Sequence, residues 1–198
     1  QFFVERVLSR NGAQSELEKA VALFNPVRDD FRYSPYSLSF AAEDYRASNI
    51  LLQEQSFCVP KAVLLTAAFR AAGLPAAVGF ADVRNHLNSP RLAALMESDV
   101  FIYHGYTLCW IGDRSFKITP AFNSQLCTKF GVKPLEFDGS GDALFHEFDG
   151  AGRRHMEYVN DRGIFFDPPI PDILEELDRT YPKFRAEAEA ARDDRAFA

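Results

Sequence analysis

The chain has 198 residues, 47% of them apolar and 25% charged, with a net charge of −6. That length suits one domain, and 19 Phe and 7 Tyr supply a core that needs no disulfide or metal. Mild acidity with scattered Lys and Arg excludes a long-range pull on nucleic acid or on an anionic membrane surface. No run approaches the roughly 18 apolar residues of a membrane-spanning helix, and Gln1 to Arg6 lacks the basic-then-apolar order of a signal peptide. The cysteines are Cys58, Cys109 and Cys127. Their odd number and spacing fit neither a zinc ribbon nor CxxC chemistry, so a reduced, cytoplasmic setting is expected.

In chain order, Ser15-Glu16-Leu17-Glu18 reads as a capping box, with Leu17, Ala20, Val21 and Phe24 at helical spacing behind it. Pro26 is expected to kink or restart that helix. Tyr33 to Ser37 is a loop with two aromatics, and Ala47 to Leu52 a short helical turn. Cys58 opens the next helix: Pro60 suits its first turn, Ala62, Val63, Ala67 and Phe69 mark an apolar face, and Gly73 closes it. A strand follows over about 76–83, then a loop over 85–90 and a short helix over 91–97. The clearest strand is Val100 to Ile111, where period two sets Val100, Ile102, His104, Tyr106, Leu108 and Trp110 on one face. Gly112-Asp113 is a two-residue turn into a returning strand over 114–122, interrupted by Pro120. Residues 127–163 read as loop-rich, Pro171 starts a helix with Ile173, Leu174 and Leu177 inward, and the tail from Arg185 onward reads as solvated or frayed. The whole chain is expected to be one domain, with a core over about 15–125 and a C-terminal extension over 126–198.

Cys58 is the residue with the clearest chemistry. A thiol at the first turn of a helix meets free amides and the positive end of the helix dipole, both favouring thiolate. Lowering its pKa by about two from the ordinary ~8.5 makes thiolate the major form, worth roughly 2.7 kcal/mol. A helix end rarely supplies that alone, so a partner is needed. A small buried core cysteine is the plain alternative. His104 is the candidate base. The glycine after it, Gly105, marks close approach of another chain segment or a ligand. With the turn at Gly112-Asp113, residue 104 lies opposite Ala121, and Thr119 and Asn123 are diagonal neighbours on the same face, either able to orient the imidazole.

Two stretches carry a family resemblance. Phe57-Cys58-Val59-Pro60-Lys61-Ala62 running to Arg70-Ala71-Ala72-Gly73-Leu74-Pro75-Ala76 resembles the nucleophile segment of the transglutaminase-like superfamily. His104-Gly105-Tyr106, then Trp110 and Phe116-Lys117-Ile118-Thr119-Pro120, is similar to its second signature, in which a His begins a strand and an Asp-Pro step ends the next. The match spans about residues 15–123. Within the family it resembles a bacterial subgroup described as transglutaminase-like or cysteine protease-like, on Gly79-Phe80-Ala81-Asp82-Val83-Arg84-Asn85-His86 and His155-Met156-Glu157-Tyr158. The resemblance implies an α+β, papain-like fold with the Cys helix packed on an antiparallel sheet. It implies acyl transfer from an amide of a peptide, a protein or a small molecule, with Cys58 as nucleophile and His104 as base; no cofactor is expected. The family's Asp aligns with Thr119, so the carboxylate of a Cys-His-Asp set is missing.

Further cleft candidates are Tyr33, which falls where family members carry a Tyr, Gln55 as an oxyanion donor (with Gln53 as the alternative), Asn85 and His86 at the rim, and His155. His146, His155 and Glu157 match no familiar metal spacing, and Gly139-Ser140-Gly141 is no phosphate loop. A domain that keeps the fold to bind a protein or peptide without turnover is the second functional reading. The missing carboxylate favours it.

Overall fold

In the computed structural model, which describes residues 1–86, 89–144 and 156–187, the chain begins with α1 (Phe2–Asn11) and α2 (Glu16–Asp29). The start of α2 is the capping box its sequence asks for. The Ser15 hydroxyl accepts from the Glu18 N–H, and the Glu18 carboxylate accepts from the Ser15 N–H, satisfying two donors that a helix start leaves over. The helix does not break at Pro26 but continues to Asp29. Leu23, Phe24 and Val27 are wholly buried on both sides of the proline, and that apolar burial outweighs one missing backbone hydrogen bond.

The two-residue strand β1 (Arg32–Tyr33), two short 3₁₀ turns and α3 (Ala47–Ile50) come next. β2 (Gln55–Ser56) pairs in parallel with β1 and leads directly into α4 (Cys58–Ala71). α4 is buried on nearly every side along its length. Gly73 at φ 84 ends it, with the Leu74 N–H returning to the Phe69 carbonyl.

β3 (Ala76–Asn85), α5 (Pro90–Met96), β4 (Val100–Ile111), β5 (Arg114–Ile118), α6 (Ser124–Phe130), β6 (Met156–Phe165) and α7 (Ile170–Thr180) complete the order, and residues 182–187 are again helical. The long strands form one antiparallel sheet in the order β5-β4-β3-β6. The hairpin register is the expected one, with Ile111 opposite Arg114 and Thr107 opposite Ile118. β5 stops at Ile118 rather than near residue 122, since Pro120 has no N–H to give the ladder. Two elements correct the loop reading of 127–163. α6 reaches Phe130, and β6 lies along β3. β6 is an edge strand with several exposed positions, so no hydrophobic alternation announces it. The tail beyond residue 187 lies outside the described residues.

α4 lies across the inner face of β3 and β4. Thr107 Oγ1 donates to the Ala62 carbonyl. At Gly105 the approach is closer still, for a Cβ there would sit 3.0 Å from the Cys58 carbonyl oxygen and the Val59 Cα. One apolar cluster joins α1, α2 and α4 to the sheet, with Phe24, Leu65, Phe69, Cys109 and Phe116. A second surrounds the start of α4 and includes Phe57, Val59, Phe80, Met96, Ile173 and Leu174. The alternation expected along β4 fails near its start. Ala81 pairs with His104 but Val83 with Phe101, so three steps on β4 oppose two on β3, a bulge. Tyr103 within it takes φ 54, which L-residues seldom adopt.

Candidate functional site

Cys58 is the first residue of α4 and only 7% exposed. Burial pushes its thiol up to about 11. The N–H groups of Gly105, Val59 and Cys58 itself and the charge of Lys61 pull the other way without prevailing. The pull of the helix terminus is thus not enough to make thiolate the resting form. The helix end stabilises a charge, but the water that would share the task has been removed. Cys109 and Cys127, both buried and free, are also raised, to about 12 and about 11, chiefly by burial.

His104 directly precedes Gly105, the residue against which the first turn of α4 rests. It is 3% exposed, burial pulls its imidazole down to about 4, and its Nε2 has no hydrogen-bond partner. No hydrogen bond joins it to the Cys58 thiol in this conformation. Ladder parity places His104 with Tyr106 on the face opposite Gly105 and Thr107, the two positions that meet α4. The β4–β5 ladder ends at Thr107 opposite Ile118, the Thr119 N–H turning instead to the Ala143 carbonyl at 2.7 Å, so the expected pairing of Ala121 with His104 does not form. The Thr119 hydroxyl is also buried without a partner. Asn123, expected beside it, does something else. Its Oδ1 accepts the Tyr33 N–H at 3.0 Å, and its backbone starts α6. The chain leaves the ladder after Ile118, so the diagonal geometry does not extend that far.

Lys61, one turn after Cys58, is the functional-looking group that the sequence did not single out. It is 0% exposed. Its ammonium donates to the carbonyls of Arg28, Phe31 and Ala121 at 2.8, 2.8 and 2.9 Å. Three acceptors match the three N–H bonds of the charged form. Burial nonetheless pulls its pKa down to about 7, against the charge of Asp29. The residue ties the reactive end of α4 to the end of α2, to the approach to β1 and to the segment after β5. Asp29 holds the neighbouring piece in turn, accepting from the N–H and hydroxyl of Ser124 at the start of α6 and pairing with Arg28.

A second polar assembly supports the bulge before His104. Asp82, buried on β3, accepts the Tyr103 N–H at 3.1 Å and the Arg162 Nε at 2.8 Å. Arg162 Nη1 reaches both oxygens of Glu176 on α7 at 2.8 and 2.9 Å, and the Tyr103 hydroxyl donates to the same carboxylate at 2.9 Å. The guanidinium lies 4.3 Å from the Tyr103 ring centroid. The unusual backbone at Tyr103 is thus held from both its N–H and its side chain.

Cys58 forms part of the wall of a cavity of about 50 Å³, together with Tyr33, Phe57, Met96, Phe101, Ile102 and groups from the C-terminal segment. That segment is the roof: Leu177 of α7, then Tyr181 and Phe184. The Tyr181 hydroxyl locks it down by accepting the Ile102 N–H at 2.9 Å and donating to the Val100 carbonyl at 2.7 Å. Tyr33 is thus brought to the thiol. Asn85 is not in this wall. It lines an adjoining open cavity of about 330 Å³ that shares Tyr33, Pro35 and Phe101 with it. His86 is exposed, with Nε2 3.7 Å from a Glu157 oxygen. Gln55 is exposed and pairs with Arg32, while Gln53 spends its amide on the Asp44 carbonyl. Ser56 is the polar neighbour sequence reading passed over, its hydroxyl buried without a partner. His146 and His155 lie outside the described residues. Among the described residues no group of three metal-ligating side chains forms, and no helix is long and apolar enough to cross a membrane.

The description of the transglutaminase-like superfamily matches residues 4–119, more than half of the chain, and the chain belongs to that superfamily. Members are generally cysteine-dependent enzymes. A search of curated proteins finds none that matches the chain. The match ends at Thr119, so α7 and its neighbours, which roof the thiol, lie outside the matched stretch.

Proposed function

We propose that this member of the transglutaminase-like superfamily is a thiol enzyme that cleaves or exchanges amide bonds, with Cys58 as nucleophile and His104 as base on a papain-like framework. The observation that carries the reading is the contact at Gly105. It brings the reactive end of α4 against the residue next to His104, whose Nε2 has no hydrogen-bond partner. The Cys58 sulfur attacks the acyl carbon while its proton passes to the imidazole, a transfer that requires the His104 ring to come round from the face of β4 turned away from α4. The carbon–nitrogen bond breaks as the amine takes that proton, and water or a second amine resolves the thioester. With the thiol near 11 and the imidazole near 4, the resting pair is neutral, so ionisation must accompany attack or follow wetting of the cleft. The amides of Cys58 and Gly105 are the candidate oxyanion donors.

The second reading, a domain retained for binding, is favoured by the face His104 occupies and by the absence of a carboxylate at Thr119. Acylation by 4-nitrophenyl acetate separates the two. A thioester forms on Cys58 as nitrophenolate leaves, and His104→Ala slows its formation about 100-fold. Acylation spread evenly over the three cysteines, or indifferent to His104, leaves the binding reading standing.

A further inference from the structure

The cavity beside Cys58 has a character that the general reading of amide chemistry does not supply. Its wall is apolar, formed by Tyr33, Phe57, Phe101, Ile102, Leu177 and Phe184 among others, and contains no charged side chain. Its volume is about 50 Å³, against the roughly 150 Å³ of an engineered apolar cavity that admits benzene. The open cavity next to it, about 330 Å³ and sharing three wall residues, does carry polar groups, among them Asn85, Ser89 and Lys129. An uncharged aliphatic group gains from the first compartment by leaving water. A carboxylate or ammonium placed there loses its hydration with no partner to replace it.

We propose that the small cavity is the acyl subsite and that it selects a short, uncharged aliphatic acyl group, the rest of the substrate lying in the open compartment. This rests on Cys58 being the nucleophile. The size limit is set by the C-terminal roof, chiefly Leu177 and Phe184, which follows the family-matched stretch. The roof therefore acts as the specificity element of this chain.

The test uses chloromethyl ketones on the full chain, because their substituent enters the subsite on the acyl side of the attacked carbon. The Cys58 sulfur bonds to the methylene carbon as the carbon–chlorine bond breaks, chloride and the thiol proton leaving to solvent. Labelling of Cys58 is followed by peptide mass for methyl, propyl, phenyl and carboxyethyl ketones. Propyl is expected to label at least fivefold faster than methyl and at least fivefold faster than carboxyethyl, with phenyl slow. Phe184→Ala is expected to raise the phenyl rate at least threefold relative to propyl. Since that variant loses packing, the series on the unaltered chain decides by itself. Carboxyethyl labelling as fast as propyl, or phenyl fastest, overturns the subsite while the thiol reading stands. A Cys58 inert to all four ketones and to iodoacetamide overturns both.

Discussion

Lys61 and His104 are both buried, both titratable and both placed against the residues around Cys58, yet they are treated oppositely. Each N–H of the Lys61 ammonium has a carbonyl, whereas the His104 Nε2 has nothing. Asp82 is treated like Lys61, with Tyr103 and Arg162 as its partners. A buried polar group whose bonds are complete holds the fold. One left without a partner costs stability there, and a nitrogen not already committed to a hydrogen bond is what a base requires. The difference teaches that pKa displacement alone does not mark a catalytic group. Lys61 is displaced too, and its neighbours explain why it stays put.

The largest expected effect is on the satisfied side. Lys61→Met strands three buried carbonyls and is expected to cost roughly 4 kcal/mol in urea unfolding, so an unchanged midpoint breaks the comparison. The same variant carries a pH signature. A lysine near 7 when folded and ~10.4 when unfolded leaves the unfolded chain holding more protons between those values. Stability from this group then rises with pH across roughly 7 to 10 and is lowest below it. The rise is expected to be missing from Lys61→Met when the two unfolding curves are compared. Asp82→Ala removes the acceptor of the Tyr103 N–H and one arm of Arg162, at about 3 kcal/mol, and is expected to slow Cys58 acylation as the bulge relaxes. Gly105→Ala pushes a methyl against the backbone of Cys58 and Val59 and is expected to cost about 1–3 kcal/mol while changing the thiol's labelling rate. Smallest on stability is His104→Leu, within about 1 kcal/mol of the parent because an unpaired polar ring gives way to an apolar group, although acylation falls. A loss as large as that of Lys61→Met shows that His104 is structural after all.

Much of this arrangement was legible in the chain. Ser15 and Glu18 announced α2, Cys58 and Gly73 the two ends of α4, and Gly112-Asp113 the hairpin and its register, because each is a local rule acting over a few residues. The close contact at Gly105 was readable for the same reason. What escaped depends on partners far away in sequence. The burial of Lys61 shows only when α2 and the segment after β5 close around it, since α4 has no polar face to set the residue apart. The bulge at Tyr103 is a mismatch between β3 and β4, and β4 alone carries no sign of it. Asn123 was assigned to the imidazole by a register that Pro120 ends, and its oxygen went to Tyr33 instead. The roof over Cys58 comes from more than a hundred residues further along the chain, and the burial around the thiol, which raises it to about 11, could not be read from the helix end alone.

That roof has a chemical consequence for the life of the protein. Peroxides and other oxidants attack sulfur as thiolate, and a sulfur held near 11 is ionised at neutral pH in only about one molecule in 10⁴. While Leu177, Tyr181 and Phe184 stay seated, Cys58 is kept from sulfenic acid and from mixed disulfides with glutathione. Exposing the sulfur removes that protection, so reactivity toward a substrate and vulnerability to oxidation rise together.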